Sequence, residues 1–144
     1  MTGIVRTILR RLFNREFQPA DVAQQVVGGF LLAGPFVVTE EVWVLAGFMN
    51  PAQWVTVVGM VFAIGWGALY RADSGRDADD ETEVAGIPYR FLTLMLVSFG
   101  SVLVLAFSFA APEAFDADVY QTAKAVSIGA VFAVVGAATA DSVF

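Results

Sequence analysis

Long apolar segments alternate with short polar ones along the chain. Four apolar segments, at about 22–49, 54–70, 89–111 and 122–143, carry few charges. Three of them are long enough to cross a hydrocarbon core of about 30 Å as a helix, and the segment 54–70 lies near the short end of the spanning range. A segment at that depth must satisfy its backbone polar groups internally, as an α-helix does. The pattern therefore predicts an all-α, polytopic membrane protein with four transmembrane helices.

Turn signals divide the four spans into two hairpins. Asn50-Pro51 follows the first span directly, so the first two spans are predicted to form a tight hairpin. Residues 71–88 are charged and almost free of apolar side chains, which predicts a solvated acidic loop. Pro112 closes the third span before a short acidic link to the fourth. Residues 19–144 are therefore predicted to form one transmembrane domain.

Residues 1–18 carry a different pattern. As a helix, they place apolar side chains on one face and four arginines around the other. The apolar residues are Ile4, Val5, Ile8, Leu9, Leu12 and Phe13, and the arginines are Arg6, Arg10, Arg11 and Arg15. A basic amphipathic helix of this kind lies in the headgroup plane rather than across the bilayer. We expect an interfacial helix ahead of the first span.

Composition supports a membrane protein and narrows its chemistry. Hydrophobic residues make up 58% of the chain and the mean hydropathy is +0.70, which is more apolar surface than a soluble core of this size buries. The chain has neither cysteine nor histidine. These absences exclude disulfides, thiolate or imidazole metal ligands and the commonest general base near neutral pH. We therefore expect the lipid bilayer to be a partner of the chain. We expect no enzyme activity, no metal and no cofactor.

The charge of the chain points away from nucleic acid. The formal net charge is −6 and the pI about 4.4, and of eight basic residues only Lys124 is a lysine. Such a chain repels a polyanion, so no nucleic-acid partner is expected. Acidic, lysine-poor polar segments are typical of proteins in a salt-saturated cytoplasm, where dense carboxylates keep surfaces soluble. The composition thus predicts a halophilic archaeon as the source.

The distribution of basic residues predicts the orientation. Four arginines precede the first span, Arg71, Arg76 and Arg90 flank the middle loop, and Lys124 stands alone on the other side. Basic residues near helix ends stay in the cytoplasm, whereas acidic residues count little. We therefore expect a multi-pass protein of the cell membrane with both termini and the loop 71–88 in the cytoplasm.

Two adjacent carboxylates, Glu40 and Glu41, stand within the first predicted span. An ionisable side chain at membrane depth costs roughly 2.5–3.5 kcal/mol at the centre, so it usually faces protein or water and marks a functional site. Pro35 removes a backbone hydrogen bond one turn earlier and, with Gly34, permits a kink. The segment that begins at Thr39 is therefore a candidate proton- or cation-binding site beside a kinked helix.

Two alternatives stay open for this segment. In one, the first helix ends near Val38 and Thr39 opens an outer loop. We prefer buried carboxylates, because the apolar run 42–49 would otherwise be stranded in water. Neighbouring helical residues point about 100° apart, so only one of Glu40 and Glu41 is expected to face a given pathway. Helix geometry slightly favours Glu40.

Lys124, near the outer start of the fourth span, is the one basic residue on that side that could pair with these carboxylates. In the alternative, its flexible stem snorkels and places the ammonium among the outer headgroups. The two interpretations predict different partners for the charge: a carboxylate of the first span, or lipid and water.

Small residues recur at four-residue spacing in two spans. They are Gly59, Ala63 and Gly67 in the second span, and Ala125, Gly129, Ala133 and Ala137 in the fourth. Such ridges allow helices to pack closely in lipid. We favour packing within the four-helix fold over a dedicated face for a homo-oligomer or a membrane partner.

Residues 28–35 (GGFLLAGP) and 39–43 (TEEVW) resemble the first helix of a family of small archaeal and bacterial membrane proteins classified only as a domain of unknown function. The similarity consists of a glycine-rich start, a proline and a threonine-x-glutamate-x-tryptophan core. It places Glu41 on the family glutamate, Trp43 on its tryptophan and Glu40 at the variable position. The resemblance covers about one helix, and it implies a fold but no activity.

Three functions compete on this sequence. The first is a small oligomeric channel or secondary transporter in which Glu40 or Glu41 binds a proton or a cation beside Pro35. Four short helices enclose little space, so any conduit is expected between subunits. The second is a non-catalytic accessory or assembly subunit that docks onto a larger membrane complex through its small residues. An intramembrane enzyme is the weakest, because no second carboxylate lies at a matching depth on another span.

Overall fold

The computed structural model describes Gly3 and residues 19–70, 83–84 and 87–143 of the chain. Apart from Gly3, the interfacial helix predicted for residues 1–18 lies outside the described residues. Most of the acidic loop 71–88 lies outside them as well.

Helices account for nearly all of the described residues. They are α1 (Pro19–Val37), α2 (Glu40–Phe48), α3 (Pro51–Tyr70), α4 (Tyr89–Ser108), α5 (Ala111–Ala114) and α6 (Val119–Val143). Two short strands, β1 (Glu83–Val84) and β2 (Ile87–Pro88), form an antiparallel pair just before α4. Within the described residues, α1, α3, α4 and α6 are long and apolar enough to cross a membrane. The prediction of a helical chain with four apolar spans is confirmed.

The first predicted span, 22–49, is two helices rather than one. α1 ends at Val37, and α2 begins at Glu40 after a two-residue break. Pro35 has no N–H, so it removes one of the last hydrogen bonds of α1. We expected Pro35 and Gly34 to kink a continuous helix, whereas the helix ends within one turn of them.

Local hydrogen bonds satisfy the carbonyl groups at this break. The backbone N–H and the hydroxyl of Thr39 both donate to the Phe36 carbonyl, at 3.2 and 2.8 Å. Trp43 Nε1 donates to the Val37 carbonyl at 2.8 Å. Two of the last carbonyls of α1 therefore keep partners without a continuing helix, which lowers the free-energy penalty of ending a helix in apolar surroundings.

Three helices, α1, α3 and α6, begin earlier than predicted, and polar residues cap two of them. The Gln53 N–H donates to Asn50 Oδ1 at 2.8 Å, and the Asn50 N–H donates to Gln53 Oε1 at 3.0 Å. This capping box starts α3 at Pro51. Asp118 Oδ1 accepts the Gln121 N–H at 2.7 Å and starts α6 in the same way.

The third predicted span ends earlier than expected. α4 stops at Ser108, and Pro112 lies in the separate one-turn helix α5 rather than at the end of the span. Ala110 and Asp116, on either side of α5, adopt left-handed backbone conformations with φ of 55° and 52°. The chain therefore turns sharply on both sides of α5 before it enters α6.

Polar contacts identify the two ends of the bundle. An ion pair of 3.8 Å between Asp21 and Arg90 joins the starts of α1 and α4. At the opposite end, the Lys124 ammonium donates to the Met49 carbonyl, which joins the start of α6 to the end of α2. We call these the Arg90 end and the Asn50 end.

α6 lies at the centre of the packing, because α1, α2, α3 and α4 all contact it. Its contact with α1 is the closest of these. A Cβ added to Gly28 would overlap the Gly136 carbonyl, and a Cβ added to Gly136 would overlap the Gly28 carbonyl. The two backbones therefore touch at a pair of glycines, as close helix crossings in lipid require.

Buried apolar side chains form two clusters along the bundle. The cluster nearer the Asn50 end joins α1, α2, α4 and α6 and includes Trp43 and Val102. The cluster nearer the Arg90 end joins α3, α4 and α6 and includes Leu69 and Leu94. Because α2 contributes to the first cluster, it belongs to the folded bundle and is not an outer loop.

The two small-residue ridges face opposite ways. The ridge on α6 is buried within the fold, at Ala125, Gly129, Ala133 and Ala137. On α3, Gly59 and Ala63 are exposed, and no described atom would lie within 4 Å of a Cβ added to Gly59 or Gly67. Packing within the fold therefore explains the ridge on α6 but not the ridge on α3.

Candidate functional site

Glu40 and Glu41 lie in the first turn of α2, and both are exposed on the surface of the chain. This corrects the expectation of a carboxylate buried inside the bundle. That expectation assumed that the following apolar run would otherwise lie in water. The run is instead packed, since Val42, Trp43 and Ala46 are buried. The alternative is met only in part: the first helix ends before the carboxylates, but a packed helix and not an outer loop follows.

Contacts on either side of the carboxylates fix their level along α6. Before them, Val37 packs on Gly129, where an added Cβ would lie 3.1 Å from Val37 Cγ2. After them, the Trp43 carbonyl accepts a hydrogen bond from Gln121 Nε2 at 2.8 Å. Gly129 and Gln121 are about 12 Å apart along a helix. The two carboxylates thus lie within the length of α6, towards the Asn50 end.

The start of α2 favours negative charge. Thr39 is extended, with φ −102° and ψ 147°, and its hydroxyl donates backwards to Phe36, so it does not cap α2 with its side chain. The first N–H groups of α2 and the helix dipole therefore stabilise the carboxylates of Glu40 and Glu41. Both side chains can be reached from outside the bundle. Within the described residues, no group of three or more acidic side chains could hold a metal ion.

Lys124 lies inside the bundle next to α2 and not beside the carboxylates. Its side chain is 4% exposed, and Nζ donates to the Met49 carbonyl at 2.9 Å and lies 4.4 Å from the centre of the Tyr120 ring. A helix C-terminus and an aromatic face both stabilise a buried ammonium. Among the described residues, no ion pair joins it to Glu40 or Glu41. Neither the expected pair nor snorkelling to the headgroups describes this lysine.

A layer of hydrogen bonds near the same level joins α3 to α6. Trp54 Nε1 donates to Ser127 Oγ at 2.8 Å, and the Ser127 hydroxyl donates to the Ala123 carbonyl at 2.9 Å. The Trp54 ring also meets the Tyr120 ring edge to face, with centroids 5.3 Å apart. These contacts hold the start of α3 against α6 with defined geometry.

Sequence reasoning missed two residues of this polar region, Gln121 and Ser127. With Lys124 they stand three residues apart along α6, so they share one side of the helix. A polar stripe at that spacing in an otherwise apolar span is a signal that the sequence does contain. It indicates that this side of α6 faces polar groups of another element.

No family model, curated protein or solved structure matches this chain. The resemblance of residues 28–43 to a family of unknown function stays a prediction. The function is therefore argued from the chemistry of the described residues.

The Arg90 end holds a third polar residue that sequence reasoning did not single out, Gln25. Gln25 is 0% exposed, and neither its Nε2 nor its Oε1 has a hydrogen-bond partner among the described residues. A buried amide of this kind is uncommon and costs about 1–3 kcal/mol. Its signal in the sequence is the pair of glutamines at 24–25 within an apolar span.

The separation of Lys124 from the carboxylates has a measurable consequence. We expect Lys124→Met to act additively with Glu40→Gln and with Glu41→Gln, with a coupling energy below about 0.5 kcal/mol. Combined with Tyr120→Leu, the same substitution should give a coupling of about 1 kcal/mol, because the ammonium lies over that ring. Double-mutant cycles from reversible unfolding in mixed detergent micelles measure both. A large coupling energy with either glutamate would show that Lys124 forms an ion pair with it after all.

Proposed function

We propose that the protein is a small membrane channel or secondary transporter for protons or cations, and that it works as an oligomer with Glu40 and Glu41 on its pathway. One observation carries the proposal: the interrupted first span leaves two carboxylates exposed at the start of α2, within the length of the bundle. Transporters build ion sites at interrupted helices. A carboxylate exposed at that level is unfavourable in lipid unless water, a cation or protein meets it.

We place the pathway between copies of the chain. Inside one chain, α1 and α6 touch at Gly28 and Gly136, and Lys124 occupies the space next to α2. These contacts support a pathway outside the single bundle, where the carboxylates are exposed. A second copy that packs over Glu40 and Glu41 would replace lipid by polar surroundings and enclose the two carboxylates in a cleft.

The proposed orientation has both termini and the loop 71–88 in the cytoplasm of a cell-membrane protein. It follows from the arginines before the first span and around the middle loop. The Asn50 end would then face outwards, and the carboxylates of α2 would meet cations that arrive from outside. Trp54 and Tyr120 would belong to the outer aromatic belt.

Flux through liposomes tests this function. Purified protein, reconstituted at high salt, should conduct protons or a monovalent cation. We expect Glu40→Gln or Glu41→Gln to lower the rate by more than about tenfold, because losing a charged hydrogen-bond partner weakens ion binding by roughly 1.5–3 kcal/mol. Fluorescent pH and cation indicators trapped inside the liposomes measure the rate.

Asp116→Asn is the matched control for these two variants. Asp116 is an exposed acidic residue at the same end of the bundle but outside α2, and asparagine tolerates its left-handed backbone. This variant should conduct as the wild type does. No flux from folded wild type would end the transport proposal. Equal flux in all three variants would remove Glu40 and Glu41 from the pathway.

A second function, a non-catalytic accessory subunit, is favoured by a different observation. Only 17% of the span in α3 is buried within the chain, and the ridge of Gly59, Ala63 and Gly67 adds an exposed face on which another helix can pack closely. Isolation from native membranes in fixed ratio with a larger membrane protein, together with an absence of flux alone, would favour this function over transport.

A further inference from the structure

A cavity of about 600 Å³ opens between α3, α4 and α6 near the Asn50 end. Buried and half-buried apolar side chains such as Val58, Phe99 and Val126 line its inner part. Pro112 and Ala117, from the connection between α4 and α6, line another side. Its volume lies within the range of roughly 300–1,000 Å³ that is typical of pockets for small organic molecules.

Hydrogen bonds fix two sides of this cavity. Trp54 is held by its bond to Ser127 Oγ at 2.8 Å, and both residues line the cavity. The Ala117 N–H donates to the Pro112 carbonyl at 2.8 Å and holds the connecting segment in one shape. These two sides of the cavity are therefore held in one shape.

Two carboxylates line the cavity, whereas the buried ammonium of Lys124 lies outside its lining. Glu113 and Asp118 line it and are exposed, and within the described part of the chain none of the lining residues is basic. The rings of Trp54, Phe99 and Phe107 add aromatic surface, which attracts a cation through its quadrupole. A ligand complementary to this site has an apolar body and a positive charge.

We propose that this cavity binds lipophilic organic cations, molecules with an aromatic or branched apolar body and one positive charge. The apolar lining receives the body, because burying apolar area is favourable. Glu113 and Asp118 attract the charge from the rim. A neutral lipid chain would use the lining but give the two carboxylates no role. The site involves neither Glu40 nor Glu41, so it goes beyond the proposed function.

Two ions of the same shape and opposite charge test the proposal. In equilibrium dialysis, protein in phosphatidylcholine nanodiscs should bind one tetraphenylphosphonium cation per chain, after binding to empty nanodiscs is subtracted. Tetraphenylborate should bind at least about tenfold more weakly, since it carries the same apolar surface but is repelled by the carboxylates.

Four variants locate the site. Glu113→Gln and Asp118→Asn should each weaken cation binding about fivefold, and asparagine keeps the cap of α6. Ala123→Phe puts a ring into the cavity, which Ala123 lines, and should abolish binding. Asp116→Asn is the control, because it also removes one negative charge from the connection between α4 and α6, but Asp116 does not line the cavity. This variant should leave the affinity within about twofold of wild type.

Several results would overturn the proposal. Equal affinity for the two ions would show that apolar partitioning alone holds them. Unchanged cation binding in folded Glu113→Gln and Asp118→Asn would remove the carboxylates from the site, and a co-purified phospholipid that the cation does not displace would make the cavity a lipid site. If circular dichroism shows that Ala123→Phe does not fold, the proposal is still tested by the two charge variants and by the comparison of the two probe ions. The assay needs no flux, so its failure is distinct from a failure of the transport proposal.

Discussion

Replacing Gly28 or Gly136 by alanine is expected to lower the free energy of unfolding by about 2–3 kcal/mol. At this crossing of α1 and α6, the added methyl carbon would overlap a backbone carbonyl of the facing helix. A backbone atom cannot rotate away as a side chain does, so the helices must move apart and lose packing along the contact. Reversible unfolding in mixed detergent micelles, followed by circular dichroism, measures the change.

Gly100 provides the matched control, because it also lies inside a long apolar helix, α4, and no described atom would lie within 4 Å of its added Cβ. Gly100→Ala should be neutral or stabilise the protein by up to about 1 kcal/mol, since alanine is the better helix former. An equally mild effect of Gly28→Ala would contradict the direct backbone contact between α1 and α6.

The four spans could be predicted because lipid imposes one rule on every crossing segment, namely that its backbone groups must be satisfied within the helix. A long apolar segment therefore identifies a span without knowledge of its neighbours. The starts of α3 and α6 were placed too late, although their capping residues, Asn50 and Asp118, are visible in the sequence. Both caps are local signals, so both helix starts are predictable from the sequence.

The break between α1 and α2 was harder to predict, because its determinants are only partly local. Pro35 and Thr39 lie at the break itself. The Trp43 indole, however, donates to the Val37 carbonyl across the break, and the Trp43 carbonyl accepts a hydrogen bond from Gln121 of α6. Hydropathy contains no information about such contacts, so an apolar run of this length was interpreted as one helix.

The same limit applies to the candidate site. The sequence identified Glu40, Glu41 and Lys124 as chemically unusual in apolar segments, but their surroundings depend on how each helix is rotated about its own axis. Small-residue spacing has the same ambiguity, since Gly129 is buried and Gly59 is exposed although both belong to ridges of equal spacing. Residue type and spacing can nominate a site, whereas tertiary packing decides which side chains meet.

The position of α2 links the fold to the proposed function. Its carboxylates lie where they do because three contacts hold the helix: Trp43 to α1, Gln121 to the Trp43 carbonyl and Lys124 to Met49. Two of these contacts come from α6, which also forms the centre of the packing. A substitution that releases α2 should therefore affect stability and the placement of the carboxylates together.

Trp43→Ala is expected to lower the free energy of unfolding by about 3–5 kcal/mol. The Trp43 side chain is 1% exposed, donates to the Val37 carbonyl at 2.8 Å and stacks on Phe115 with ring centroids 5.7 Å apart. Its removal leaves both a cavity next to α2 and an unpartnered carbonyl. Reversible unfolding measures the loss of stability. Flux by Trp43→Ala should fall as well, because α2 carries Glu40 and Glu41.

Two further substitutions separate the causes of this loss. Trp43→Phe keeps most of the ring and loses the N–H donor, so it should cost about 1 kcal/mol. Phe48→Ala removes an aromatic side chain from the same helix, but Phe48 is 82% exposed and its loss should cost no more than about 0.5 kcal/mol in detergent. If Trp43→Ala were as mild as Phe48→Ala, packing would not hold α2 in place. The level assigned to the two carboxylates, and the transport pathway inferred from it, would then lose their structural support.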